Sequence, residues 1–217
     1  MFDILARLLV LCTCIPAHEC AHGWVADRLG DPTARAGGRL TLNPLRHFDM
    51  LGTLSLILLG FGWAKPVPVD PRNFRGDRKK GMALVALAGP AANLLLAVML
   101  MALYKLVFYI LGVGFGLQNA AYLLLQVLMV MVTTNISLAV FNLIPINPLD
   151  GSRILGLLLP DRLYYALLRA ERYIYFLLLF ALASGILSRP IQFVSYQAFR
   201  LLDLCTSFID TAARLFL

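Results

Sequence analysis

The sequence has 217 residues, of which 60% are hydrophobic and 14% are charged. Charged residues make up about a quarter of an ordinary soluble domain, so this composition excludes a soluble domain and predicts a membrane protein with several spans. The formal net charge of +7 does not indicate nucleic-acid binding, because ten of the nineteen basic residues lie between Arg28 and Lys80, beside apolar segments and without interleaved aromatic residues.

The first apolar segment, at about 2–28, contains the sequence HECAH, which places His18, Glu19 and His22 inside a predicted span. Positions four apart on a helix share one face, so both imidazoles can bind the same metal ion. The glutamate then lies beside the metal, where it can act as general base for a metal-activated water. Two buried core histidines are the alternative, but ionisable residues inside a membrane are costly unless they serve a function. The motif therefore predicts a zinc site.

The segment between the first and second predicted spans is rich in glycine, proline and basic residues. The sequence GRLTLN, at 38–43, alternates between polar and apolar residues and predicts a short strand. The apolar stretch at 49–61 is too short to cross a membrane unaided. The closely spaced prolines exclude a helix in AKPVPV and favour an extended edge strand, to which an extended substrate could add. The residues of this strand that we expect to bind substrate are Lys65, Pro66, Val67, Pro68 and Val69.

Three further apolar segments follow, at about 81–112, 118–141 and 162–187. The tail at 190–217 mixes charged and apolar residues, a pattern that fits both an interfacial amphipathic helix and a packed final span. We find no internal repeat, and no insertion that resembles a PDZ or CBS domain.

The predicted fold is an all-α polytopic membrane protein. It is a helical bundle with a small membrane-associated β-hairpin or sheet inserted between the first and second spans. We expect one integral membrane domain over residues 1–217, with the catalytic core at about 1–158 and additional C-terminal helices at about 161–217.

The distribution of positive charge predicts the topology. The basic loop at 28–80 is expected on the cytoplasmic side, and the uncharged turn at 113–118 on the external side. The span after that turn then returns inward and carries the sequence NPLDG to the leaflet that holds His18. We therefore expect Asp150 to lie close to the two histidines, below the membrane surface.

A catalytic zinc site needs a third protein ligand and one open position. Cys14 shares the face of the histidines, but positions eight apart on a helix are separated by about 12 Å, too far for one ion. His47 remains possible, although a turn-bonding role suits its place in a loop after Asn43 and Pro44. Asp150 is favoured because the predicted topology brings it to the same leaflet, and a simple Asp-Gly turn is its alternative role.

HECAH together with NLIPINPLDG resembles the site-2 protease family of intramembrane zinc metalloproteases. The resemblance extends over most of the chain and includes the sequences GWAKPVPV and GPAAN. It implies that Glu19 is the catalytic base and that Asn142 lies beside the active site, where it helps to hold the substrate carbonyl. Asn93 is implied to pack its helix and to support the metal ligands. The residues implied to hold one zinc ion per chain are His18, His22 and Asp150.

These observations predict an intramembrane zinc metalloprotease that acts in regulated intramembrane proteolysis. Its partners would be the lipid bilayer and a transmembrane protein substrate, cleaved in or near its span. We expect a multi-pass protein of the bacterial inner membrane, with the active site toward the cytoplasm. A membrane metal or ion transporter is one alternative, but it would have little need for Glu19 beside the histidines. An inactive scaffold that binds membrane helices is the other, but it would be expected to have lost one of the key residues.

Overall fold

The computed structural model describes residues 8–59, 64–114 and 119–216. A π-helical turn at Val10–Cys14 leads directly into the first α-helix, and 3-10 turns lie at Pro44–Arg46 and Pro71–Asn73. The α-helices are α1 (Ile15–Arg28), α2 (Thr33–Ala36), α3 (Met50–Leu59), α4 (Arg78–Gly114), α5 (Asn119–Asn142), α6 (Asp150–Leu158), α7 (Asp161–Arg169), α8 (Glu171–Ala183), α9 (Ser188–Cys205) and α10 (Ser207–Phe216).

Two of the described helices are long and apolar enough to cross a membrane. They are the stretches Arg78–Leu111 of α4 and Ala121–Asn142 of α5, with mean hydropathies of 2.4 and 2.0. Glu171–Ala183 and Ser188–Leu215 meet the same test only when taken together, and they are bent by 80° at the break between them. Such a bent pair is the geometry of a broken span or a re-entrant loop. Both alternatives for the tail at 190–217, an interfacial amphipathic helix and a packed final span, stay predictions.

The core of the bundle lies between α4 and α5, and α9 packs against this pair. In a membrane, helices associate through close packing rather than through a hydrophobic driving force, so small and well-fitted side chains matter at such contacts. The buried residues of this cluster are Ala97, Leu100, Met101, Leu128, Val132, Ile136 and Leu202. Helix α1 packs on the N-terminal half of α4, near the buried residues Ala26, Phe74 and Val85.

The predicted β-hairpin or sheet between the first and second spans was wrong, because the described parts of the chain contain no strand. The extended residues 64–70 bind other partners instead of a neighbouring strand. Lys65 donates its N–H to the His47 carbonyl at 2.9 Å, and its own carbonyl accepts from Arg39 at 2.6 Å. Pro66 and Pro68 have no N–H, so only the alternate residues can donate, and two of these, Lys65 and Val67, bind His47 and Glu19 instead of a strand.

Two other predicted segments differ in detail. The stretch at 162–187 is divided into α7 and α8, which meet at Ala170. The short apolar stretch forms α3, whose ten residues extend only about 15 Å at 1.5 Å per residue. Several of its side chains are exposed, among them Met50, at 87%, and Leu58, at 68%. The predicted end of this stretch, at 60–61, lies outside the described residues.

Candidate metal centre

The two histidines of HECAH lie on the buried face of α1 and point at each other. Their Nε2 atoms are 3.0 Å apart, and the rings meet edge to face with a centroid distance of 4.6 Å. The spacing of four residues produces this approach, because it places both side chains one above the other on a single helix face. Both His18 and His22 are buried, at 9% and 8% exposure.

Asp150 reaches the histidines from the first position of α6, directly after the irregular segment that follows α5. Its Oδ2 lies 3.3 Å from His18 Nε2 and 3.4 Å from His22 Nε2. Gly151 makes this approach possible, because a Cβ at that position would lie 2.2 Å from the Leu143 carbonyl oxygen. Helix α6 can therefore begin directly against the end of the preceding segment, with the aspartate at its first position.

The three ligand atoms have the spacing that a tetrahedral zinc site requires. Zinc bonds of 2.0 to 2.1 Å to nitrogen and oxygen separate the ligand atoms of a tetrahedron by about 3.4 Å. The observed separations are 3.0, 3.3 and 3.4 Å. Asp150 Oδ2 is also buried without a hydrogen bond of normal geometry to any described residue, as suits an oxygen that faces a cation. Within the described residues, these three form the one cluster of histidine, cysteine and acidic side chains that can hold a metal.

Neighbouring groups set the orientation of both imidazoles. His22 donates its Nδ1–H to the Val85 carbonyl oxygen at 2.7 Å, which leaves Nε2 as the atom that could bind a metal. The Asn93 side-chain amide is fully buried and lies 3.3 Å from His18 Nδ1. A half-turn exchanges the two ends of an amide, and Asn93 Oδ1 has no other partner among the described residues. When it is turned toward His18, this oxygen accepts the Nδ1–H of His18, as the Val85 carbonyl accepts the Nδ1–H of His22.

Gly89 leaves the space that the two imidazoles occupy. A Cβ built on this residue of α4 would lie 2.4 Å from His22 Nε2 and 2.6 Å from His18 Cε1. Any side chain here would therefore push on the two imidazole rings rather than on a flexible neighbour. The close approach of α1 to α4 at this level depends on glycine.

Glu19 lies beside the cluster and lines a cavity of about 250 Å³. Its Oε2 accepts a 2.8 Å hydrogen bond from the Val67 N–H, whereas no described residue binds Oε1. The cavity is bounded by α1, α4, α5 and the segment before α6. Its walls are formed by Ile15, His18, Glu19, Ala64, Asn93, Leu138, Phe141, Asn142 and Leu149.

The other residues singled out in the sequence lie near the cavity or apart from it. Asn142 lines the cavity, and its side-chain N–H donates to the Leu138 carbonyl at 2.9 Å. His47 is fully buried and donates from Nε2 to the Thr41 carbonyl at 2.8 Å, so it takes part in a turn and not in the cluster. Cys14 is also buried, and it accepts from the Asn135 amide at 3.0 Å.

The segment predicted to bind substrate lies next to the cavity, but its backbone donors are largely engaged. The N–H groups of Lys65 and Val67 are bound to the His47 carbonyl and to Glu19, and Pro66 between them and Pro68 after them have no N–H. Sequence reasoning did not find the contributions of the Val67 N–H or of the Val85 carbonyl. Both are backbone groups, and no residue type marks them.

Comparison with known proteins gives a consistent picture. The family model described as Peptidase family M50 matches residues 6–121 and 110–185. A Bacillus subtilis protein named "Putative zinc metalloprotease YwhC" is 39% identical over 183 residues, covering 82% of this chain and 81% of that protein.

Two mycobacterial relatives, each named "Putative zinc metalloprotease Rip2", match a shorter region. The protein of Mycolicibacterium smegmatis is 34% identical over 139 residues, and that of Mycobacterium tuberculosis strain H37Rv is 33% identical over 141. Each match covers 62% of this chain and 49% of the relative, so the chain spans about half of their length. No solved structure gives a significant match.

Proposed function

This chain belongs to peptidase family M50, and on that premise we propose that it is a zinc metalloprotease that cleaves peptide bonds in or near the transmembrane segments of membrane proteins. The resemblance predicted from HECAH and NLIPINPLDG is thereby confirmed at the level of the family. The observation that carries the proposal is the meeting of three ligand atoms within 3.4 Å of one another, beside a glutamate in a cavity.

His18, His22 and Asp150 would hold one zinc ion per chain. Two neutral imidazoles and one carboxylate suit zinc, and three protein ligands leave the open position of a catalytic site. When bound, zinc polarises a substrate carbonyl and lowers the pKa of water toward neutrality. The Val85 carbonyl and Asn93 orient the imidazoles so that both Nε2 atoms face the ligand cluster.

Glu19 moves the proton in the proposed reaction. Because its Oε2 is held by the Val67 N–H, Oε1 is the oxygen that accepts a proton from the attacking water. The same oxygen then passes the proton to the nitrogen of the departing amine. We also propose that Asn142, which lines the cavity and donates one amide N–H to the Leu138 carbonyl, donates its second N–H to the substrate carbonyl.

The proposed reaction requires a peptide whose scissile carbonyl is free of helical hydrogen bonds. In a helix, each carbonyl is occupied by a hydrogen bond from four residues further along the chain, so a helical substrate must unwind before its carbonyl can be attacked. Apolar side chains line the cavity around the polar groups, among them Ile15, Leu138 and Phe141. We propose that a locally unwound transmembrane segment occupies this space.

We also propose that the active site faces the cytoplasm of a bacterial cell. The support is the excess of basic residues between Arg28 and Lys80, which flank α1 and α4. Arg75→Cys, on a background without the four native cysteines, tests this orientation in intact cells. Labelling by a membrane-impermeant thiol reagent only after permeabilisation is expected, and labelling from outside would reverse the topology.

The proteolytic function is tested by reconstituting the purified protein in vesicles with a panel of single-span peptides. Peptides with a central glycine-proline pair in a leucine- and alanine-rich span should be cut, and a zinc chelator should abolish cleavage. Restored cleavage after zinc is added back distinguishes loss of the metal from unfolding. A zinc-loaded protein that cuts no peptide of the panel, or one whose cleavage survives full removal of zinc, would contradict the proposal.

A further inference from the structure

The carboxylate of Glu19 depends on a distant segment for its only hydrogen bond to the described residues, which comes from the Val67 N–H at 2.8 Å. The Val67 side chain is itself buried against α1. At Gly23 a Cβ would lie 3.0 Å from Val67 Cγ1 and 2.7 Å from Leu40 Cδ2. A glycine in α1 thus lets this segment lie directly on the helix that carries the glutamate.

Residues 64–70 have no regular secondary structure, so other parts of the chain must fix the position of this N–H. Two contacts hold the segment near its start, where Lys65 donates to the His47 carbonyl and accepts from Arg39. A third holds its end, where the Asp70 N–H donates to Asp31 at 2.7 Å. Val67 lies between these anchors.

Arg39 is the unusual member of this set. Arg39 is only 8% exposed. Its guanidinium makes one hydrogen bond to the described residues, a 2.6 Å bond from Nη2 to the Lys65 carbonyl. Its Nε is buried without a partner among those residues. Burying a cation with so few partners is costly. The one strong interaction that the buried guanidinium makes with the described residues is this charge-assisted hydrogen bond to the Lys65 carbonyl.

We propose that Arg39 is a positioning residue for the catalytic glutamate. It holds the Lys65 carbonyl, and that contact fixes the Val67 N–H two residues later against Glu19 Oε2. The carboxylate is then kept in one orientation, with Oε1 directed to the reacting water. This inference rests on the proposed role of Glu19 as the base. The segment at 64–70 then orients the Glu19 carboxylate, in addition to any contact that it makes with substrate.

A purely architectural role for Arg39 is the competing explanation, and two measurements separate the two. The first is hydrogen exchange of the segment in the zinc-loaded protein. Because Pro66 and Pro68 have no N–H, a peptide that covers 64–70 reports on few amides. The variant Arg39→Gln should speed exchange at Val67 and Lys65 about tenfold, the effect of losing a hydrogen bond from a charged group.

The matched control is Arg35→Gln, which removes another arginine of the same loop. The Arg35 side chain is 69% exposed and pairs with Asp27, away from the segment. Its replacement should leave the exchange of Val67 unchanged. Arg39→Lys, which keeps a single charged donor, should restore part of the protection. Unchanged exchange at Val67 in Arg39→Gln would overturn the proposal, whether or not a substrate is known.

The second measurement is a double-mutant cycle on cleavage of the glycine-proline peptide, with zinc content verified for each variant. Arg39→Gln should lower kcat about tenfold with little change in KM. Val67→Pro removes the N–H and should lower kcat at least as much. If Arg39 acts through that N–H, the double variant should be no slower than Val67→Pro alone. Losses that multiply would instead establish independent roles and contradict the proposal.

The two measurements also distinguish this inference from the proposed function. If the wild-type protein cleaves no peptide but Arg39→Gln still releases the Val67 amide, the proteolytic function fails and the contact network stands. If the wild type cleaves and Arg39→Gln cleaves equally well with full zinc, the positioning role fails and the proteolytic function stands.

Discussion

His22 Nδ1 lies 2.7 Å from the carbonyl oxygen of Val85, so a backbone group of α4 determines which nitrogen of this α1 imidazole faces His18 and Asp150. A backbone carbonyl inside a helix normally accepts from the residue four positions later, and here it also receives an imidazole N–H. The contact joins the two helices at the level of the site and fixes the tautomer of His22.

The first prediction concerns the metal ligands. His18→Ala, His22→Ala and Asp150→Ala should each lose most of the zinc that purifies with the wild-type protein, because three protein ligands are the minimum for a catalytic site. His47→Ala removes the remaining histidine and should keep the metal, since that side chain bonds the Thr41 carbonyl. Metal analysis of the purified variants gives the result, and full zinc in both HECAH variants would rule out this cluster.

The second prediction concerns Gly89. Gly89→Ala introduces a Cβ at 2.4 Å from His22 Nε2, so the imidazoles must shift or the helices must separate. We expect a loss of about 1 to 3 kcal/mol in stability, the usual range for overpacking, together with weaker zinc binding. Gly37→Ala is the matched control, because its added Cβ would meet no described atom closer than 3.4 Å. Competition with a fluorescent chelator measures the affinities, and equal affinities would refute the crowding argument.

The third prediction concerns the attachment of the C-terminal helices. Lys105 of α4 is buried and lies 2.6 Å from Asp210 and 2.8 Å from Asp203, and Tyr109 also donates to Asp210. Removing the cation leaves the partly buried Asp210 without its charge partner. Lys105→Met should therefore destabilise the protein by about 2 kcal/mol, which lies between the values for surface and for buried ion pairs because Asp203 is exposed.

Thermal unfolding in detergent micelles measures this effect. Lys80→Met, at an exposed position of the same helix, should unfold close to the wild-type temperature. Equal unfolding of Lys105→Met and wild type would mean that apolar packing around Leu202 holds the C-terminal helices without help from the ion pairs.

The fourth prediction concerns the stability of the loop at acid pH. Burial by itself raises the pKa of Asp31, but hydrogen bonds from Thr33, Asn73 and the Asp70 N–H outweigh this effect and lower it. The Arg72 side chain and N–H lower the pKa of Asp70 to about 2. The unfolded chain binds protons at both carboxyls more readily, with an ordinary aspartate pKa of about 3.9. Their contribution to stability is therefore complete above about pH 4 and is lost as the pH falls toward 2.

Unfolding of the loop can be followed by hydrogen exchange at pH 5, 3 and 2, after correction for the intrinsic rate. The wild-type segment at 64–75 should lose protection across this range. In Asp31→Asn the segment should be less protected at pH 5 and should lose less protection on acidification, because one of the two titrating carboxyls is absent. An identical pH dependence in the two proteins would show that Asp31 is not responsible.

The fifth prediction concerns substrate conformation. Glycine or proline costs a helix about 1 to 3 kcal/mol relative to alanine, so either residue near the scissile bond eases local unwinding. Peptides with such a residue should be cleaved faster than leucine- and alanine-rich peptides of equal length that bind comparably. Rates that do not depend on substrate helicity would mean that unwinding does not limit the reaction.

The meeting of His18, His22 and Asp150 could be predicted because these side chains have strong sequence signals, and their role as zinc ligands stays a prediction. The spacing of HECAH places His18 and His22 on one helical face. The distribution of basic residues predicts a topology in which Asp150 lies in the same leaflet as these histidines. The inserted sheet was predicted wrongly because alternation and proline content indicate an extended backbone but do not identify its hydrogen-bonding partner. In the structure that partner is a set of side chains and carbonyls, including Arg39 and Glu19. The contact of Val85 with His22 had no sequence signal at all.

The central claim, that Glu19 supplies the base for metal-dependent peptide hydrolysis, is tested most directly by comparing two glutamate variants. The chain has only two glutamates, Glu19 and Glu171, so Glu171→Gln makes the same chemical change away from the metal centre. Both variants are purified with zinc, and their kcat is measured on the glycine-proline peptide. We expect Glu19→Gln to keep its zinc and to lose at least about a hundredfold in kcat, because glutamine cannot accept the proton. Glu171→Gln should cleave like the wild type, whereas near-normal turnover by zinc-loaded Glu19→Gln would contradict the account.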